Sequence, residues 1–299
     1  MEGKRTDLAL EVRESFEEDK VEVSGVVLKK KPIAGTQGVV TWVEILNEQG
    51  SRAMNKPEGI YVTLESKHFL EGDNDEMIDA ACRELKKIIP DRENGKYLIV
   101  GVGNREVTSD SLGPKTIDRL MITRQFEKEW GNHYLEEKGL TSVSALAPGV
   151  MGQTGMEPYE IIKGVVDATK PDLIIVIDAL LARGVNRLCT TIQITDTGIS
   201  PGAGVGNRRK ELSEKTLGVP VIAIGVPTVV EAETILYDYV EQALLKQDIS
   251  KEETDQFMKE ILFEQNDMVM VTPKNIDEQV EKMSQCLAGM INCCLQKNG

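Results

Sequence analysis

The stretch Leu173-IIVIDALLAR, residues 173–183, decides how this chain folds. A short run of isoleucine, valine and leucine closed by an acidic residue reads as a strand buried on both faces. A second run of the same kind, Tyr97-LIVGVGNREVTSDSLGP, breaks at glycine and carries an aspartate at Asp110. In an open parallel sheet, reactive groups gather beyond the carboxyl ends of such strands, so Asp110 and Asp178 are expected to share one crevice. Like charge at close range raises the proton affinity of one carboxyl, giving an acid and a base from the same residue type. The outline is that of a hydrolase.

Outward from these two strands, apolar runs at 142–146, 191–194, 219–225 and 268–271 alternate with helical patterns. The helices are expected at 75–89, 115–126, up to 168, 229–245, 251–263 and from 276 onward. Proline at 90 ends the first, and Gly113-Pro114 marks the start of the second, where proline loses no needed hydrogen bond. This alternation predicts an α/β fold: a mostly parallel twisted sheet with helices on both faces. Strand-like segments at 21–28, 38–46 and 59–64, separated by polar turns, predict a small antiparallel N-terminal addition. The charged first twenty residues read as an exposed arm.

With 299 residues, 40% of them hydrophobic, the chain can bury a substantial core in one large domain. A net charge of −14 argues against a surface that grips phosphates, so no nucleic-acid partner is expected. The cationic run Lys29-Lys30-Lys31 reads as the end of a solvated strand. Apolar runs fall short of the ~20 residues that cross a bilayer, and the first residues lack the apolar stretch of a signal peptide. A soluble, cytoplasmic protein is expected. The five cysteines form no CxxC pair and read as free thiols, with Cys286 and Cys293 on one apolar helix face. His68 and His133 read as surface residues.

Gly101-V-G-N-R-E lacks the third glycine of a dinucleotide fingerprint, and its loop runs on through Arg105-EVTSD before any helix, so no cofactor is expected there. Gly101 and Gly103 instead allow backbone to approach backbone, while Asn104 fastens the loop and Asp110 points inward. Taken alone, Asp110 has a strong competing role as a helix cap. Asp178 ends an apolar strand, where an ionised carboxylate must be paired or solvated in a cleft. Glycine-rich loops at Pro148-GVMGQTG, Asp196-TGISPGAGVGN and Gly225-VPT expose backbone N–H groups suited to an extended peptide or an oxyanion, or serve as plain tight turns. Asp196-Thr197-Gly198 spells the triplet of pepsin-like proteases, which needs two β-rich lobes that this sequence does not offer.

At these residues the chain resembles the germination proteases of spore-forming bacteria. The matching stretches are Arg5-TDLALE, Gly101-VGNREVTSDSLGP, Pro148-GVMGQTGMEPYEII, Asp178-ALLAR, Thr191-IQITDTGISPGAGVGNRRKE, Gly218-VPVIAIGVPTVV and Met270-VTPKNID. The resemblance implies an endopeptidase that degrades small acid-soluble spore proteins, and a fold shared with the hydrogenase maturation endopeptidases. It implies a homotetrameric zymogen in the forespore and spore core, with residues 1–7 as a propeptide cut between Asp7 and Leu8. Residues 8–299 then form one protease domain, with 21–65 as the antiparallel addition. The family's proposed catalytic aspartates correspond to Asp110 and Asp178. Ser109 and Ser111 stand where the family usually has proline and alanine, and the segment between 245 and 268 is shorter than in typical members.

The leading expectation is therefore a protease in which the two carboxylates activate water, helped by backbone N–H groups of the glycine loops and by Asn104, Thr154, Glu157 and Asp196 as supporting residues. Neither metal nor cofactor is expected. One rival is a maturation-type metalloprotease that uses the same carboxylates to bind a divalent ion. Another is a module that holds an extended peptide without cutting it.

Overall fold

The computed structural model describes residues 5–16, 23–71, 74–90, 95–202, 209–246, 253–254, 256–257 and 269–296. Among them, one sheet is built from β1 Val26–Pro32, β2 Val39–Ile45, β3 Gly59–Glu65, β4 Lys96–Gly101, β5 Ser142–Leu146, β6 Leu173–Ala182, β7 Thr191–Thr195, β8 Val221–Glu231 and β9 Met270–Val271. Its order is β1-β2-β3-β7-β8-β6-β4-β5, with β9 also paired to β8. β8, β6, β4 and β5 run parallel, whereas β1, β2, β3 and β7 join by antiparallel pairing. The sheet is thus mixed. Its N-terminal strands extend the parallel part instead of forming a separate layer.

The helices are α1 Ala9–Glu14, α2 Glu48–Met54, α3 Asp75–Ile88, α4 Leu112–Ile117, α5 Arg124–Trp130, α6 Asn132–Glu137, α7 Met151–Thr154, α8 Pro158–Thr169, α9 Glu214–Leu217, α10 Ala232–Leu245 and α11 Ile276–Leu295. Strand alternation divides the core. Tyr97 and Ile99 pack with Leu85 of α3, Leu112 of α4 and Met283 and Leu287 of α11. Leu98, Val100, Ile174 and Val176 pack with Ile162 and Val166 of α8 and Leu217 of α9. Each such side chain, fully buried, contributes about 1.5–3 kcal/mol. Cys286 lies in this core, where burial pushes its thiol up to about 12.

Three expectations change. The single helix expected at 115–126 is two, because the Thr123 N–H donates to the Val143 carbonyl (3.0 Å) and its hydroxyl accepts from the Val143 N–H (2.9 Å). That pulls the intervening chain along β5. β6 and β8 are longer than their first apolar runs, because Asp178 through Ala182 keep pairing with β8 residues Gly225 to Val230. Residues 5–16 are no exposed arm, since Leu8 and Ala9 have no solvent exposure and Leu10 has 2%. The helix expected at 251–263 falls almost wholly outside the described residues.

The two edges of the sheet differ in kind. On β1, Lys29, Lys30, Lys31 and Pro32 are exposed, an arrangement that blunts a free edge with charge and with a residue lacking an N–H donor. On β5, Thr123 covers part of the edge.

Candidate active site

β4 ends at Gly101, opposite Ile177 of β6, while β6 continues beside β8. Asp178 therefore sits within β6, at the point where β4 turns away. The turn is sharp. A Cβ on Gly101 would lie 2.3 Å from the Gly113 carbonyl oxygen, and one on Gly103, at φ +119°, would lie 2.1 Å from the Asp110 carbonyl oxygen. Only glycine allows this close folding. The Asn104 N–H donates to Asp110 Oδ2 (2.7 Å), and the Thr228 hydroxyl donates to the Ser109 carbonyl (2.6 Å). The Asn104 side chain secures the same loop, accepting from the Glu106 N–H (3.0 Å) and from Gln153 Nε2 (2.9 Å).

Both carboxylates line one cavity of about 600 Å³, together with Asp7, Lys56, Gln193 and Arg209. Asp178 is 6% exposed, and its proton affinity is pushed well up by burial, then by the negative charges of Asp110 and Asp7. The Ala179 N–H and the Arg209 guanidinium oppose this rise. Asp110 is half-buried and also raised, chiefly by burial, against the Asn104 N–H and Arg209. One carboxyl disposed to keep a proton thus lies beside one better able to lose it.

The chain's own N-terminal segment enters this cavity. Beyond the end of β4, the Asp7 N–H donates to the Leu181 carbonyl (2.9 Å), and Asp7 Oδ2 accepts from the Leu181 N–H (2.9 Å). Burial raises the Asp7 carboxyl, opposed by the Leu181 N–H and by Lys56. The half-buried Lys56 ammonium is itself lowered by burial and raised by Asp7 and Glu11. Leu8 packs on Leu180, Leu188 and Val230. Around the Asp7–Leu8 bond, the Asp7 carbonyl accepts from Gln193 Nε2 (3.2 Å) and the Ala9 N–H donates to Gln193 Oε1 (2.7 Å). Among the described residues the donor to that carbonyl is thus a side chain and not a glycine-loop N–H.

Further along, Glu11 accepts from the main-chain N–H groups of Arg183 (2.7 Å) and Gly184 (2.9 Å) and pairs with Arg187 Nη1 (3.3 Å). Arg187 also holds Glu14 and Glu65. Burial alone would lower its guanidinium, but the three carboxylates outweigh it and raise it.

Asp7, Asp110 and Asp178 come together, with Leu8 and the Asn104 main chain alongside. Thr154, Glu157 and Asp196 are not among the cavity-lining residues. Thr154 bonds to its own turn at Val150 and Met156, Glu157 forms a capping box with Glu160 at the start of α8, and Asp196 accepts from the Ile60 N–H (2.8 Å). Lys56, Gln193 and Arg209 escaped the sequence reading. A glutamine inside the apolar run Thr191-IQIT was the available signal for Gln193. Lys56 lay in a polar turn that gave none. Among the described residues no group of three His, Cys, Asp or Glu side chains is placed to hold a metal ion.

Fold and cavity together define a peptide-holding α/β protein with a pair of acidic groups at the point where one strand leaves its sheet. The chain belongs to the germination protease family, whose profile matches residues 4–247, and it is therefore a peptidase. It is 42% identical to the germination protease of Caldanaerobacter subterraneus subsp. tengcongensis, across 98% of this chain and 94% of that one. With the germination protease of Bacillus subtilis it shares 38% identity, across 98% and 93%. A solved structure of the [NiFe] hydrogenase maturation protease HycI from Thermococcus kodakarensis covers 70% of this chain at 16% identity, with a TM-score of 0.37. No helix of the described residues is long and apolar enough to cross a membrane.

Proposed function

We propose that the chain is an aspartate-dependent endopeptidase, made as a zymogen, whose first target is its own Asp7–Leu8 bond. The observation that carries this reading is that Asp7 lines the same cavity as Asp110 and Asp178. Asp178 holds the proton, because burial and its two acidic neighbours favour the neutral form. Asp110, supported by the Asn104 N–H, is the base. It takes a proton from a water molecule as the water oxygen bonds to the Asp7 carbonyl carbon and the carbonyl π electrons move to oxygen. When the tetrahedral intermediate collapses, the C–N bond breaks, and Asp178 gives its proton to the departing Leu8 nitrogen.

Once the segment leaves, the same crevice takes acidic-apolar stretches of other proteins. On the strength of the family, these substrates are the small acid-soluble proteins of the spore core, and the working form is a homotetramer. The decisive experiment follows loss of residues 1–7 by intact mass in Asp110→Ala and Asp178→Ala. Each substitution is expected to abolish it while leaving the thermal unfolding of the full chain cooperative. Normal processing in either variant would overturn the aspartate pair.

A further inference from the structure

Gln193 is 6% exposed and lies in the middle of β7, where its neighbours Ile192 and Ile194 point into the apolar core. Side chains alternate along a strand, so Gln193 faces the opposite side, with Thr191 and Thr195. Strand register sets it in a row across the sheet. Gln193 pairs with Gly225 of β8, and Gly225 pairs with Asp178 of β6. Directly paired residues share a face, so the carboxamide and the Asp178 carboxyl flank a position with no side chain. Leu180 fills the space there, since a Cβ on Gly225 would lie 2.4 Å from Leu180 Cδ1. Leu8 in turn packs on Leu180. The residue just after the expected cut therefore shares an apolar cluster with the side chain that fills the gap between the acid and the amide.

A buried carboxamide needs partners for both its ends. Here Nε2 donates to the Asp7 carbonyl oxygen and Oε1 accepts from the Ala9 N–H, so the amide spans the Asp7–Leu8 bond using main-chain atoms alone. We propose that Gln193 is a catalytic residue of this site, the hydrogen-bond donor that polarises the scissile carbonyl and holds the oxyanion formed when water adds. The proposal rests on the aspartate-pair reading above. At 3.2 Å the contact is long for a ground-state amide and shortens as negative charge builds on oxygen, which is the property that favours the transition state over the bound substrate. Because both contacts are to backbone, the grip itself asks for no particular side chain, and side-chain preference falls to other groups.

The test is a self-cleavage time course on the full chain, read by intact mass. Gln193→Met keeps length and removes the donor and the acceptor. Gln193→Glu keeps the size and the acceptor for the Ala9 N–H, and guards against misfolding of the first variant. Each is expected to slow cleavage by about 100- to 1000-fold, the range for losing one oxyanion donor. Hydrogen–deuterium exchange of residues 5–12 other than Ala9, whose N–H loses its acceptor in Gln193→Met, is measured in an Asp110→Asn background so that the bond stays intact, and is expected to be the same with and without the Gln193 change. A cleavage rate near wild type in both variants overturns the proposal. Slow cleavage with loss of amide protection beyond Ala9 also overturns it, because Gln193 would then merely seat the segment. If wild type cleaves and the aspartate variants do not, the aspartate pair stands whatever Gln193 does.

Discussion

Two acidic residues of one short segment, Asp7 and Glu11, sit in opposite electrostatic settings. Glu11 meets two main-chain N–H groups and the Arg187 guanidinium, which is 12% exposed. Asp7 faces Lys56 but shares its cavity with Asp110 and Asp178, and burial raises its proton affinity. One seat matches a negative charge with donors, and the other crowds carboxyls together. On the proposed function, holding and cutting are divided along the segment: the Glu11 end anchors, and the Asp7 end lies beside the two carboxyls proposed to transfer protons. This division agrees with the general pattern that groups with displaced proton affinities collect where chemistry occurs.

The comparison breaks most visibly at Asp178. Asp178→Asn is expected to abolish self-cleavage and to make the chain more stable relative to wild type as the solution becomes more alkaline. The sign follows from the raised proton affinity of Asp178 in the folded state. Its contribution to stability is complete below the ordinary carboxylate value of ~4 and is lost as pH rises through its higher folded value. The asparagine variant has no such loss. Urea denaturation of both proteins across a pH series measures the difference, and parallel curves would refute it. Wild-type self-cleavage is expected to fall along the same alkaline limb.

At the anchoring end, Arg187→Ala leaves Glu11, Glu14 and Glu65 without their shared cation. It is expected to cost about 1–3 kcal/mol, since Glu11 stays buried without its cation while the exposed Glu14 and part-exposed Glu65 regain water. Chemical denaturation checks this value. Cleavage should slow because the segment is seated less often, so the loss should parallel the loss of amide protection over residues 5–12. A rate loss with full protection would blur the division between the two ends.

The smallest effect sharpens the boundary of the site. Thr154 bonds within its own exposed turn and does not line the cavity. Thr154→Val is expected to change stability by less than about 0.5 kcal/mol, as for most surface substitutions, and to leave self-cleavage unchanged. A cleavage defect in this variant would extend the working surface to the 147–157 loop.

Much of this arrangement was legible in the chain. β5 and α3 follow from local pattern, because a short β-branched run and an amphipathic run closed by Pro90 leave little competition. Gly101 and Gly103 also announced a close backbone turn, and the sheet shows what they approach. The continuation of β6 past Asp178 was not legible, because Ala179-Leu180-Leu181-Ala182 fits a helix start as well as a strand and is decided by pairing with β8. The seat of residues 5–16 was hidden for a related reason. Their charges suggest solvent exposure, and the donors that satisfy Glu11 come from residues far along the chain. Lys56 and Arg209 belong to loops, where sequence pattern says least about what faces what.

The margins of the sheet carry a consequence for self-association. Lysines and a proline occupy the outer strand on one side, and Thr123 already uses the Val143 N–H and carbonyl on the other. Neither border offers a clean ladder to a visiting strand. Among the described residues, lengthening the sheet from one molecule into the next is therefore disfavoured at the lysine-bearing border and interrupted at Val143 on the other.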